Sequence, residues 1–227
     1  MRRKTLVGLA LGLAAVLVFG GLYASNMGFK LNKGGTAKGI TAGTGSDIWA
    51  LPFNQQTDLL DAKDLIDDIE TSTSLPGVVN QVARYLRDSD GFAGYTGTSG
   101  VAFQLVSGEA YLVQVDVAEF PVDYIMVGSH NPGLVINLLG PSTGVSASGS
   151  NLYAYPYHSV ATDAKELIDE VNLAGGGSVV VQVAEYLTDS DGFAGYTGTS
   201  GVAFALNPGV GYLIQVNTDV SFVPAHF

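Results

Sequence analysis

Cysteine is absent from this chain of 227 residues, and charged side chains make up only 14% of it. Without a thiol, the protein has no disulfide, no cysteine-ligated zinc site and no cysteine-based catalysis. Basic residues are also scarce, with 10 lysines and arginines against 21 aspartates and glutamates and a formal net charge of −11. Because such a charge repels phosphate backbones, the composition argues against binding to nucleic acid.

Apolar and small residues are abundant instead. Hydrophobic residues make up 47% of the chain, which also has 30 glycines, 11 tyrosines and 10 phenylalanines. A disordered chain would be poor in aromatic residues and rich in charge, so this composition indicates a globular, mainly β protein.

A stretch of sixteen residues, DSDGFAGYTGTSGVAF, occurs twice, at 88–103 and at 189–204. A long stretch repeated at this spacing indicates two copies of one module. Each copy has strand-like alternation of apolar and polar residues and one short amphipathic pattern. We therefore predict an α+β, mainly β fold of two tandem repeats, each a β-sandwich-like sheet unit with one short helix.

The N-terminus has the features of an export signal. Three basic residues at positions 2–4 precede an apolar run that continues to Ala24. Segment 1–24 is therefore predicted to be a signal peptide, or an N-terminal anchor if it is not cleaved. The protein is expected to be extracellular, displayed on the cell surface or periplasmic, and to contact a membrane only if this segment is retained.

The rest of the chain divides into four parts. A short strand and a Gly/Thr-rich linker occupy 25–46, a first β-rich module 47–140, a Ser/Gly linker 141–150 and a second module 151–227. Asp61 and Asp163 are predicted N-caps of the two helices. The second module lacks a counterpart of the strand predicted at 134–139, which would leave an open sheet edge for self-association.

Two D-S-D-G turns within the duplicated stretch are candidate calcium sites. Adjacent carboxylates at a turn resemble the middle of a calcium-binding loop. The pattern is incomplete, because leucine stands two residues before each turn and glycine stands where a bidentate acid would be needed. The alternatives are therefore a plain hairpin turn and a weak calcium site at Asp88, Asp90, Asp189 and Asp191. No other cofactor is predicted.

The remaining polar motifs have simpler interpretations. Residues 140–144 match the G-x-S-x-G string of serine hydrolases around Ser142, but the sequence that follows does not predict the required helix. His130, His158 and His226 lack metal-ligand spacing and are interpreted as structural or surface residues. The acidic residues of the first helix, from Asp58 to Glu70, are interpreted as a solvated face.

Aromatic residues could stack on sugar rings if they lay on one surface. Their alternation along the strands instead favours burial in the core. This interpretation applies to Trp49, Tyr95, Tyr111, Tyr196 and Tyr212.

The order of these motifs resembles modules of uncharacterised exported bacterial proteins. It consists of an export signal, SNMGFKL, a D-A-K-[DE]-L-I-D helix, the D-S-D-G hairpin and a G-x-[AG]-Y-L-[VI]-Q-V strand. In those modules a G-E-G-Y strand closes each copy, and here Gly108-Glu109-Ala110-Tyr111 and Gly209-Val210-Gly211-Tyr212 each differ from it by one residue. The resemblance implies a secreted or surface-displayed protein and transfers no catalytic residue.

The sequence therefore predicts an exported, non-enzymatic protein with a structural or adhesive role. The alternative is an extracellular pair of modules that bind carbohydrate or calcium, with an extracellular glycan as partner. A serine hydrolase using Ser142 is the third hypothesis.

Overall fold

The computed structural model describes residues 29–32, 44–51, 54–55, 59–116, 122–129, 131–142 and 144–226. The predicted export segment, most of the first linker and His130 lie outside these ranges. Over the described residues the chain is mainly β, as predicted, with antiparallel sheets and two helices. The strands are β1 (Phe29–Asn32), β2 (Ser46–Ala50), β3 (Asn54–Gln55), β4 (Val79–Leu86), β5 (Gly91–Tyr95), β6 (Ala110–Val115), β7 (Ile125–Ser129), β8 (Ile136–Leu138), β9 (Ser150–Ala154), β10 (Val180–Leu187), β11 (Gly192–Tyr196), β12 (Gly211–Val216) and β13 (Val220–Phe222); the helices are α1 (Ala62–Thr73) and α2 (Ala164–Ala174).

Two four-stranded antiparallel sheets form the centre of the fold. The first sheet has the order β2-β6-β4-β5 and the second the order β9-β12-β10-β11. The predicted hairpins β4–β5 and β10–β11 are present, so the duplicated stretch supplies the end strand of each sheet. One detail differs from expectation. The positive φ of each turn belongs to Asp90 and Asp191, both at 50°, rather than to the glycine that follows. Aspartate tolerates this conformation because its short side chain bonds locally.

Each helix begins at the predicted aspartate. Asp61 accepts hydrogen bonds from the backbone N–H groups of Lys63 and Asp64, and the Asp64 carboxylate returns to the N–H of Asp61. Asp163 accepts from the N–H of Glu166 at 2.8 Å, whereas the Glu166 side chain reaches Thr162. Both helices bury an apolar stripe on one face of a sheet, and these buried residues are Leu65, Ile66, Ile69, Leu167, Ile168 and Val171.

The opposite faces of the two sheets pack against each other. Side chains alternate along a strand, so one set of strand residues faces the helix and the other faces the second sheet. We name the second set the inter-sheet core: Ile48, Ala50, Ala83, Ala110 and Leu112 from the first sheet, with Leu152, Ala154, Ala184 and Leu213 from the second. Face-to-face packing of the two sheets therefore occurs between the halves of the chain, so the sandwich-like element lies at their junction.

Reciprocal backbone hydrogen bonds close the junction at both ends. The N–H of Ala50 donates to the carbonyl of Gly209 at 3.0 Å, and the N–H of Ala154 donates to the carbonyl of Gly108 at 3.0 Å. Because Ala50 and Ala154 occupy corresponding positions, as do Gly108 and Gly209, each half makes the same contact with the other.

Strand β8 lies before the boundary predicted at residue 140. Strand β8 pairs with β13, and Ile136 and Leu138 lie in the core of the second half. Residues 136–138 therefore pack with the second half, and the edge expected from a missing strand is covered. The first half has β1 paired with β7, which also pairs with β3.

The segment predicted as a linker, 141–150, makes hydrogen bonds within itself and to the first sheet. The backbone groups of Ser142 and Ser146 exchange hydrogen bonds of 2.8 and 3.0 Å, and Ser146 is 1% exposed. The N–H of Ala147 donates to the carbonyl of Arg87 at 2.7 Å, so segment 141–150 is hydrogen-bonded to the residue that follows β4 of the first sheet.

Candidate functional site

The second aspartate of the first D-S-D-G turn joins the two halves of the chain. Asp90 Oδ1 accepts hydrogen bonds from the hydroxyl of Tyr85 at 2.9 Å and from the hydroxyl of Ser148 at 2.8 Å. Ser148 is in turn 2.7 Å from the hydroxyl of Ser150, at the start of β9. We name Asp90 with these partners the first clasp.

The second turn forms an equivalent set of contacts, which we name the second clasp. It runs from Asp191 in the second half to Thr44, just before β2 of the first half. Asp191 accepts from the hydroxyl of Tyr186 at 3.0 Å, and from the N–H of Thr44 at 3.0 Å. Thr44 Oγ1 also donates to Asp191 and lies 2.7 Å from the hydroxyl of Ser46. Burial, together with the hydrogen bond to the aspartate, raises the pKa of Tyr85 and of Tyr186 to about 12. Both phenols therefore remain protonated donors at neutral pH.

The first aspartates of the turns have a different environment. Asp88 accepts a hydrogen bond of 3.1 Å from the adjacent Ser89, and all four turn aspartates are exposed. Across the described part of the chain, no three histidine, aspartate or glutamate side chains gather into a group that could hold a metal ion. Calcium binding by the four turn aspartates stays a prediction, and Asp90 and Asp191 already have protein partners.

Ser142 lies in an exposed turn and not at a strand-to-helix elbow. The turn is closed by the two backbone bonds between Ser142 and Ser146, and no helix follows it before β9. The fold does bring two histidines to one corner, because His226 pairs with Ser159, the neighbour of His158. His158 also contacts the ring of Tyr157 at a centroid distance of 4.7 Å.

Most aromatic side chains belong to the core, as predicted. Trp49, Tyr95 and Tyr111 are at most 9% exposed, and the same is true of Tyr196 and Tyr212. Among the exposed rings, Tyr157 is 45% exposed, and Phe92 and Phe193 are each 37% exposed on a sheet-end strand. Phe92 packs edge-on against Tyr85 at 5.4 Å, and Phe193 packs edge-on against Tyr186 at 5.3 Å.

The most exposed apolar residues of the duplicated stretch lie in the loop that follows each sheet-end strand. Gly100 folds this loop tightly onto β5 with a φ of 88°, and a side chain there would collide with the carbonyl oxygen of Gly94. The loop then presents Val101, which is 83% exposed, while its equivalent Val202 is 84% exposed. We name residues 96–103 and 197–204 the valine loops.

A buried polar cluster in the second half was not predicted. The Tyr153 hydroxyl, Ser159 Oγ and Glu170 Oε2 are buried and have no hydrogen-bond partner among the described residues. Burial raises the pKa of Glu170, although its other oxygen accepts from the N–H of Ala225 at 2.5 Å. The first half satisfies the equivalent position, because Asp68 accepts from the hydroxyl of Tyr124.

This cluster has a sequence signal that is visible only after alignment of the two halves. Trp49 and Tyr124 stack at 5.6 Å in the first half, and Tyr153 and Phe222 contact at 6.0 Å in the second. In the first half the hydroxyl belongs to Tyr124, just before β7, and bonds to Asp68; in the second half it belongs to Tyr153 on the opening strand β9 and has no partner among the described residues.

No protein family, curated protein or solved structure matches this chain. No helix in the described ranges is long and apolar enough to cross a membrane.

Proposed function

We propose that the chain is a tandem duplication whose two halves form one body, and that it acts as an exported structural or adhesive protein with two equivalent contact surfaces. The observation that carries this proposal is the pair of valine loops. They are identical in sequence, and Val101 and Val202 are more than four-fifths exposed in both. Burial of these exposed side chains in a contact would be favourable, because it removes apolar surface from water.

The inter-sheet core and the two clasps support a fixed spacing between these loops. Two binding surfaces held on one body bind with greater avidity than either surface alone. Because the loops are identical, one loop can also meet the same loop of another molecule in an isologous contact.

Sheet-end strands β5 and β11 lie beside the loops and pair on one side only among the described strands. Their outer edges can add strand pairing to that contact. Self-association is therefore proposed through the two valine loops and the outer edges of β5 and β11.

The number of contact surfaces gives a direct test by sedimentation velocity over a concentration series. The unchanged chain has two surfaces and should form species larger than dimers as its concentration rises. Val101→Ser or Val202→Ser leaves one surface, so association should stop at dimers, and the double variant should remain monomeric.

Leu173→Ser is the matched control, because Leu173 is 84% exposed but lies on α2 away from the loops. It should associate like the unchanged chain. A monomer at every concentration for the unchanged chain would refute self-association, and association of the double valine variant would refute the role of the loops.

An extracellular carbohydrate-binding role is the alternative, and the exposed rings of Phe92 and Phe193 favour it. Aromatic faces stack on the apolar face of a sugar ring, and the two rings would again provide two equivalent sites. A glycan array with the unchanged chain and a Phe92→Ser/Phe193→Ser variant tests this role. Binding lost in the variant would support it, while an absence of signal for the unchanged chain would contradict it.

Export itself is proposed from segment 1–24. Mass spectrometry of the protein recovered from cells separates a cleaved signal, with a mature N-terminus near Ser25, from a retained anchor. Recovery of all the protein from the cytoplasm would contradict export.

A further inference from the structure

The two halves differ in charge at one position beside the valine loops. Residues 78–103 and 179–204 are identical except at three positions, where Asn80, Arg84 and Arg87 correspond to Val181, Glu185 and Thr188. Arg87 lies 2.8 Å from Glu109, an acid that the second half replaces with Val210, so this ion pair adds no net charge. The difference that remains is a cation, Arg84, in the first half and an anion, Glu185, in the second.

Arg84 and Glu185 have the same place relative to the sheet-end strands. Arg84 lies opposite Ala93 of β5, and Glu185 lies opposite Ala194 of β11. The Arg84 guanidinium lies over the ring of Phe103, the last residue of the first valine loop, at 5.5 Å. Arg84 is exposed and forms no ion pair within the described residues.

Glu185 is half-buried beside the equivalent rings of the second half. Phe204 ends the second valine loop and stacks on Tyr212 at 5.8 Å, as Phe103 stacks on Tyr111 at 5.7 Å. Burial raises the pKa of Tyr212 to about 12, and the negative charge of Glu185 acts in the same direction. The first loop therefore ends beside a positive charge and the second beside a negative charge.

The two loops lie at opposite ends of the packed sheets. β2, the strand of the first sheet farthest from β5, packs against β10, the neighbour of β11. In the same way, the turn before β5 contacts Ser148, just before β9, which is the strand farthest from β11. Contacts through both loops can therefore extend from one molecule to the next.

The charges distinguish the possible contacts between these ends. We propose that the first end of one molecule binds the second end of another, so that association is head-to-tail; this rests on the self-association through the valine loops proposed above. Unlike ends bring Arg84 towards Glu185, whereas like ends bring two arginines or two glutamates together, which lowers affinity. Lys63 and Lys165 are each paired with an aspartate of their own helix and are common to both ends. Heterologous contacts of this kind build open chains when their rotation does not close a ring.

Variants with one remaining valine loop isolate each combination of ends. Val202→Ser retains the first end and Val101→Ser retains the second. Sedimentation velocity would compare dimer formation by each variant alone with that of an equimolar mixture. Mixed dimers should form about three- to tenfold more tightly than dimers of either variant, because an exposed ion pair and a like-charge pair each change affinity by a few-fold. This preference should shrink at about 1 M salt, where the Debye length is about 3 Å.

Exchange of the two charges tests the residues themselves. The hairpins are nearly identical, so Arg84→Glu and Glu185→Arg give each half the residue already found in the other. Arg84→Glu in the Val202→Ser variant should abolish the preference, and Glu185→Arg in the Val101→Ser variant should then restore it. Asp189→Arg, used in place of Glu185→Arg, is the matched control. It makes the same change of charge in the turn before β11, whereas the valine loop follows β11, so it should not restore the preference. Circular dichroism verifies that each variant is folded.

The outcomes separate this contact from the role of the loops. Equal association of like and unlike ends, or a preference that survives Arg84→Glu, would overturn the head-to-tail contact and leave the valine loops as contact surfaces. Restoration by Asp189→Arg as complete as that by Glu185→Arg would also overturn it, because overall charge would then set the preference. Absence of any association would refute both proposals.

Discussion

The two aspartates of each D-S-D-G turn have different hydrogen-bond partners. Asp90 and Asp191 adopt positive φ and accept hydrogen bonds from Ser148 and Thr44, whereas the hydrogen bond of Asp88 is confined to the adjacent Ser89. The two identical turns are therefore oriented so that the second aspartate of each contacts residues across the junction.

Replacement of a clasp aspartate should weaken the junction. Asp90→Gly and Asp191→Gly retain the positive φ without strain, so each removes little more than the carboxylate. Each is expected to lower the free energy of unfolding by about 1 kcal/mol, the usual net value of a hydrogen bond. Urea unfolding measures this change.

Asp88→Ala is the control. It should lower the free energy of unfolding by less, because the hydrogen bond of Asp88 is confined to the adjacent Ser89. The same experiment examines the calcium hypothesis. If Ca²⁺ raises the stability of the unchanged chain and Asp88→Ala removes that increase, the turn binds calcium and the purely structural account of the aspartates is wrong.

Glu170 should make stability depend on pH in the direction opposite to a paired carboxylate. Burial raises its pKa above the ordinary value of 4.5, so the folded chain holds this proton more tightly than the unfolded chain. Its contribution to stability is full below pH 4.5 and is lost as the pH rises through the raised pKa. Glu170→Gln, which stays neutral, should therefore be more stable than the unchanged chain at neutral pH, and this advantage should disappear below pH 4.5.

Urea unfolding of both proteins across a pH series measures the difference. Asp68→Asn is the matched control in the first half, where the carboxylate accepts from Tyr124, and it should give no such advantage at neutral pH. A Glu170→Gln effect that does not vary with pH would show that burial of the charge is not its cause.

At the scale of strands, one close contact between the two sheets depends on a glycine. Gly211 faces Ala110, its own counterpart in the first half, and a Cβ on Gly211 would collide with Ala110 Cβ and Ile48 Cγ2. This contact explains why β6 begins with alanine in the first half and β12 begins with glycine in the second half. Two alanines do not fit where equivalent residues meet.

Gly211→Ala should therefore destabilise the protein by about 1–3 kcal/mol, the usual cost of overpacking a core. Ala110→Gly added to it should restore part of the loss, since one of the two collisions is then relieved. Gly177→Ala is the control, because a Cβ there meets no atom within 4 Å. Equal unfolding free energies for Gly211→Ala and Gly177→Ala would show that the sheets can separate without cost.

Local signals predicted the elements well. Asp61 and Asp163 begin the helices, and the alternation around the D-S-D-G turns forms the two hairpins. The pairing of β8 with β13 was missed, because a three-residue strand has no local feature that selects its partner. The clasps were missed for a related reason. Ser148 is 58 residues from Asp90, and only the packing of the sheets brings them together.

At the scale of the whole molecule, three features connect the halves: the inter-sheet core, the two clasps and the placement of β8 in the second core. Each half buries one face of its sheet against its own helix and the other face against the sheet of the other half. Separation would expose the second face of both sheets to water, so the halves should unfold together.

The single tryptophan makes this coupling measurable. Trp49 is 3% exposed in the first core, so its fluorescence reports the first half, whereas far-UV circular dichroism reports both halves.

Leu167→Ala places a cavity in the second core and should lower the free energy of unfolding by about 2–5 kcal/mol. In a coupled body it should shift the Trp49 transition and the dichroism transition equally towards lower urea concentration. Leu65→Ala, at the equivalent position of α1, should do the same. If Leu167→Ala leaves the Trp49 midpoint unchanged while the dichroism curve divides into two steps, the halves unfold independently, and the inter-sheet core does not join them into one cooperative unit.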